Sequence, residues 1–151
     1  MLRISQADYD LIRWEAERSY PRECCGILLG SAEEGCRTVS LTLICDNMRT
    51  DVPEHRYSIR PEQVVAAFKL ARSRQENIIG FYHSHPDHAP HYSKTDLLEA
   101  HWFDCSYVIT AVERGHATST ESFVLQGAED QKVFEAEEME ILSQRPLHPR
   151  L

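Results

Sequence analysis

Apolar positions along the chain alternate between helical and strand spacing. Leu11, Ile12 and Ala16 form one stripe of a helix over Gln6–Ser19. Ser5 followed by Asp8 is a capping-box pair ahead of it, with Ile4 and Tyr9 at the hydrophobic-staple positions. Pro21 ends this helix. Gly26–Gly30 is a continuous apolar run of strand length, and Ser31–Gly35 carries turn chemistry. Thr38–Cys45 alternates and is rich in β-branched residues, which predicts a second strand. A polar loop over Asp46–Glu54 and a short strand over Arg56–Ile59 follow.

Pro61 suits the first turn of a second helix, whose inner face carries Val64, Val65, Phe68 and Ala71. Lys69, Arg72 and Arg74 sit near its end, where the helix dipole favours cations. Asn77–His85 reads as a strand, Asp87–Tyr92 as a loop and Ser93–Trp102 as a third helix. Cys105–Val112 and Ser122–Gln126 predict strands around a turn near Gly115, and Val133–Leu142 is ambiguous between helix and strand. The sum is one α+β domain over 1–142, with a mixed, mainly antiparallel sheet flanked by helices. Residues 143–151 read as a flexible, frayed C-terminal tail.

At 151 residues and 42% hydrophobic content, the chain has the balance of one folded domain. Its longest apolar stretches, such as Val64–Phe68, are far shorter than the ~20 residues that span a bilayer. No secretory leader is visible at the N-terminus, so the expected setting is cytoplasmic. The net charge of −8 argues against nucleic acid or an anionic membrane surface as a partner, since both require a basic footprint. Charge is uneven, with basic excess over Arg49–Arg74 and acidic excess after Glu121, and both read as solvated faces. Cys24, Cys25, Cys36, Cys45 and Cys105 are odd in number and contain no Cys-x-x-Cys pair, which reads as reduced, mostly buried thiols.

The chemistry concentrates in Gly80-Phe81-Tyr82-His83-Ser84-His85-Pro86 and the following Ser93-Lys94-Thr95-Asp96. His83 and His85 lie two apart on a strand, so both rings leave the same face. Pro86 removes a ladder donor and ends the strand, which leaves the pair at an open sheet end. If Ser93 caps the third helix, Asp96 falls in its first turn and can aim a carboxylate back at the histidines. Two imidazoles and one carboxylate, without thiolates, suit a catalytic zinc ion with an open position for water. Ser84 faces away from the pair and can orient a neighbour by a hydrogen bond. His88 and His91 lie in the loop after Pro86 and read as exposed loop histidines.

These residues resemble the motif of the MPN/JAMM (JAB-domain) metalloprotease family. That motif is an upstream Glu, then His-Ser/Thr-His-Pro, six residues, Ser, two residues and Asp. Pro21-Arg22-Glu23-Cys24-Cys25-Gly26 supplies the upstream Glu as Glu23 and is similar to the small bacterial branch, as are Asn47 and Tyr57–Pro61. Tyr92 departs from that branch, where Pro is frequent. The resemblance implies an MPN-like, cytidine-deaminase-like domain with one zinc ion per chain held by His83, His85 and Asp96. Glu23 would then move a proton from the attacking water to the leaving amine, and Ser93 would donate to the oxyanion. The implied activity is that of a zinc metalloprotease or isopeptidase. It would hydrolyse an amide bond at the C-terminal Gly-Gly tail of a ubiquitin-like or sulfur-carrier protein. The alternative is a non-catalytic MPN scaffold, although members of that kind usually lack part of the motif. Homo-oligomerisation is left open.

Overall fold

Ser5 accepts the backbone N–H of Asp8 at 3.1 Å, and this cap starts α1 (Gln6–Ser19), whose inward residues Ile12 and Ala16 are buried. The computed structural model describes residues 1–49 and 57–147. Among these, α1, α2 (Pro61–Ser73) and α3 (Lys94–Glu99) flank one sheet of eight strands. The strands are β1 (Leu2–Ser5), β2 (Cys25–Glu33), β3 (Cys36–Cys45), β4 (Asn77–Pro86), β5 (Ser106–Glu113), β6 (His116–Ala128), β7 (Gln131–Glu137) and β8 (Met139–Leu142). Their order is β7-β6-β5-β4-β2-β3-β1-β8. Only β4/β5, β1/β3 and β1/β8 run parallel, so the sheet is mixed and mainly antiparallel, as the pattern predicts.

The alternation of side chains along each strand divides the core in two. Ile12 and Ala16 of α1 pack with Leu28, Val39, Tyr82 and Val108 on one face. Ala67 and Ala71 of α2 pack with Cys25, Ile27, Phe81, Tyr107 and Ile109 on the other. Gly26 lies opposite Tyr82 in the β2/β4 ladder, and a Cβ there would stand 2.1 Å from the Tyr82 ring. That absence of a side chain lets the Tyr82 ring lie against the centre of the sheet.

The sheet is strongly curled. Strands β3 and β7 are five places apart in order, about 24 Å if the sheet were flat. Yet the Arg37 guanidinium reaches Glu137 at 2.7 Å. Ser106 and Ser122 donate to the other oxygen of Glu137, at 2.5 and 2.7 Å, and satisfy this buried carboxylate.

Several boundaries differ from the sequence expectation. Ile4 and Ser5, expected as staple and cap of α1, also belong to a strand, Leu2–Ser5, between β3 and β8, in which Leu2 and Ile4 are buried. Strand β2 runs to Glu33, so the turn narrows to Glu34 and Gly35, both at positive φ, as a tight hairpin requires. Helix α3 stops at Glu99 because Ala100 is extended, and the ammonium of Lys132 takes the exposed Leu98 carbonyl at 2.9 Å. Strand β6 begins at His116, and the ambiguous segment resolves into β7 and β8. Tyr57–Ile59 has no strand, while Arg56 and the loop positions Thr50–Glu54 lie outside the described residues. Arg145 makes a two-pronged ion pair with buried Asp8 at 3.0 and 3.1 Å, whereas His148–Leu151 of the expected tail lie outside the described residues.

Candidate metal centre

The β2/β4 register assembles the site. Cys25 pairs with His83, so two residues further along each antiparallel strand Glu23 comes level with His85 on the same face. Beyond the ladder, Cys24 donates its N–H to Ser84 Oγ at 2.8 Å, and Ser84 donates its own to the Cys24 carbonyl at 3.2 Å. Ser84 thus faces away from the histidines and ties the Glu23 segment to the strand that carries them.

His83 and His85 bring their Nε2 atoms within 3.1 Å of each other. Asp96 faces both, with Oδ1 at 3.2 Å from His83 Nε2 and Oδ2 at 3.0 Å from His85 Nε2. Asp96 is itself fixed by a reciprocal capping box at the start of α3. Ser93 Oγ accepts the Asp96 N–H at 3.0 Å, and Asp96 Oδ2 accepts the Ser93 N–H at 2.8 Å. Helix cap and inward-aimed carboxylate are therefore one structure. The Ser93 hydroxyl acts as an acceptor in the cap, which leaves its proton available.

His85 donates Nδ1–H to the Ala89 carbonyl at 2.8 Å, an assignment made from the network. Its Nε2 therefore presents a lone pair to the other two groups. Burial holds the His83 imidazole below its usual range, despite the carboxylate of Asp96 beside it. Two imidazole nitrogens and a carboxylate facing one another at these distances fit a small divalent cation.

Glu23 is 3% exposed, and its carboxylate oxygen lies within 4.8 Å of the histidine nitrogens. Its Oε1 has no hydrogen-bond partner among the described residues. Desolvation, reinforced by the charges of Asp96 and Glu99, pushes its carboxyl up to about 9. Asp96 is partly buried as well. There, against the pull of burial, the neighbouring imidazoles of His83 and His85 and the Ser93 backbone N–H hold the carboxyl well below the usual range. The carboxyls of Glu23 and Asp96, both beside the histidine pair, are thus driven in opposite directions.

Two features escape sequence reasoning because they depend on tertiary contact. The Tyr57 ring stacks on His83 with centroids 4.5 Å apart, and a cleft of about 450 Å³ opens beside it, lined by Ile59, Phe81, Leu98 and Trp102 among others. Asn47 donates from Nδ2 to the Glu23 carbonyl at 3.1 Å. His88 and His91 are exposed, and His91 stacks on Tyr92, whose ring packs against Phe123 and Phe134. All five cysteines are free thiols, and burial pushes Cys24 up to about 12 and Cys45 and Cys105 up to about 11. Such thiols pack and do not attack.

Known proteins share this arrangement of strands and helices. The crystal structure of a JAB1/MPN domain protein from Archaeoglobus fulgidus superposes with a TM-score of 0.58 at 16% identity, covering 93% of this chain and 98% of that one, a likeness of fold. The solution structure of a Desulfitobacterium hafniense protein reaches 0.80 at 25% identity, with 95% and 94% covered. A Haloferax volcanii protein named desampylase is 34% identical over 101 residues, 67% of this chain and 70% of its own length. The family model of the prokaryotic homologues of the JAB domain matches residues 5–126, and the chain belongs to that family.

Proposed function

We propose that the chain is a zinc-dependent peptidase or isopeptidase that hydrolyses an amide bond at the C-terminal Gly-Gly tail of a ubiquitin-like or sulfur-carrier protein. The observation that carries this reading is the meeting of the His83 and His85 Nε2 atoms with the Asp96 carboxylate, beside an unpartnered, buried Glu23. His83, His85 and Asp96 would hold one zinc ion per chain. When bound, zinc would polarise the scissile carbonyl, acidify a water and draw the Glu23 carboxyl down toward neutrality.

The other roles belong to the chain itself. Glu23 Oε1 takes the proton of the attacking water and returns it to the departing amine, a task that calls for a carboxyl tuned away from 4.5. Ser93 Oγ–H donates to the oxyanion while its oxygen keeps the α3 cap. Tyr57 and Phe81 wall the approach on the His83 side, and the cleft there suits a slim extended tail. The name of the haloarchaeal relative supports a protein-conjugate substrate. Residues 1–142 form the catalytic domain, and free, buried thiols support a cytoplasmic setting.

The test replaces both glycines of a cleavable carrier tail with bulky residues. Turnover by zinc-loaded protein should be suppressed. Equal rates on both substrates would eliminate tail threading and favour a general small-peptide hydrolase.

A further inference from the structure

A buried carboxyl with no hydrogen bond to hold it must be placed by its backbone. That is the situation of Glu23, whose buried Oε1 has no hydrogen-bond partner among the described residues. Its peptide is held instead from two sides. Ser84 anchors Cys24 on the β4 side, and Asn47 Nδ2 donates to the Glu23 carbonyl on the other.

Asn47 is itself fixed. Its Oδ1 accepts the N–H of Arg49 at 3.0 Å and that of Ser58 at 3.1 Å, while Met48 N–H donates to the Ser58 carbonyl at 2.8 Å. One carbonyl and two N–H neighbours leave a single consistent orientation for the amide. The same side chain therefore joins the Glu23 backbone to both described ends of the loop between β3 and α2. That loop delivers Tyr57 onto the His83 ring. His83, His85 and Asp96 make no hydrogen bond with Asn47, their places being set by β4, Ala89 and the α3 cap.

We infer that Asn47 is a positioning residue that sets the Glu23 carboxylate against the histidine pair. The inference rests on the reading of Glu23 as the proton carrier. Small displacements of a catalytic group are costly, and outer partners of this kind are typically worth about 10- to 100-fold.

Asn47→Asp is the informative change, because it keeps an acceptor for Arg49 and Ser58 but loses the donor to Glu23. On a Gly-Gly-tailed carrier adduct, the zinc-loaded variant should lose about 10- to 100-fold in kcat with KM within about threefold. Zinc affinity, from competition with a chromophoric chelator, should stay within about threefold of wild type. Combined with Glu23→Gln, Asn47→Asp should produce no further loss, since both act through one group. An unchanged kcat, a matching loss of zinc affinity, or losses that multiply in the double variant would overturn the inference. Retained activity in Glu23→Gln alone would instead overturn the role of Glu23, and the inference with it. Should the Asp variant not fold, Asn47→Ser runs the same cycle with the same criteria.

Discussion

Replacing Glu23 with Gln separates what this carboxyl does for turnover from what it does to the fold. The side chain is 3% exposed, and with no cation beside it burial raises its carboxyl from 4.5 to about 9. In the unfolded chain the same group ionises near 4.5, so between pH 4.5 and 9 the folded state keeps a proton that the unfolded state releases. Wild-type stability must therefore fall as pH rises through that window, by about 1.4 kcal/mol per pH unit for this group. By pH 7 the cost reaches about 3 kcal/mol, an upper bound because local opening admits water. Gln has the same shape and does not titrate. Metal-free Glu23→Gln should thus match the wild type near pH 4.5 and exceed it by about 1–3 kcal/mol at pH 7. Urea denaturation of both metal-free proteins from pH 4.5 to 8 measures the difference. Zinc-loaded turnover should meanwhile drop by about 10²- to 10⁴-fold. A stability difference that does not grow with pH, or a Gln variant less stable at pH 7, would refute the burial argument. Activity above about a tenth of wild type would refute the proton-carrier role.

His83→Ala with His85→Ala should abolish the single equivalent of zinc that elemental analysis finds after loading; an unchanged stoichiometry would move the site elsewhere. Chelation should leave the far-ultraviolet circular dichroism of the wild type intact, because the core of a 151-residue domain needs no metal staple. Ser93→Ala should destabilise the chain by about 1 kcal/mol through the lost cap and lower turnover by about 10²- to 10³-fold. A normal rate would confine Ser93 to capping. Glu137→Ala should cost about 3–5 kcal/mol in urea denaturation, since it strands the buried Arg37 guanidinium. A loss below about 1 kcal/mol would mean that the curl of the sheet does not depend on this pair.

The site was more legible than the edges of the fold, and the reason is physical. His83 and His85 are two residues apart on one strand and Ser93 and Asp96 three apart at one helix start, so local geometry already sets their directions. Glu23 was visible only through the motif, since its place opposite His85 is a property of the β2/β4 register. Strand β1 is hidden in the sequence because four residues carry almost no periodic signal, and the same Ser5 that ends the strand caps the helix. Ala100 and Trp102 continue the apolar pattern of the third helix, but Ala100 is extended and α3 ends at Glu99. Asn47 and Tyr57 gain their meaning only when β2, the following loop and β4 meet.

The central claim is that these residues form one hydrolytic centre acting on a carrier tail, and intact-mass spectrometry tests it most directly. A Gly-Gly-tailed carrier bearing a C-terminal amine adduct is incubated with zinc-loaded wild type and, in parallel, with the His83→Ala/His85→Ala protein. The account predicts loss of the adduct mass in the first sample, leaving a carrier that ends in Gly-Gly, and an unchanged mass in the second. An adduct that survives fully zinc-loaded wild type, or one removed equally well without the two histidines, would contradict it.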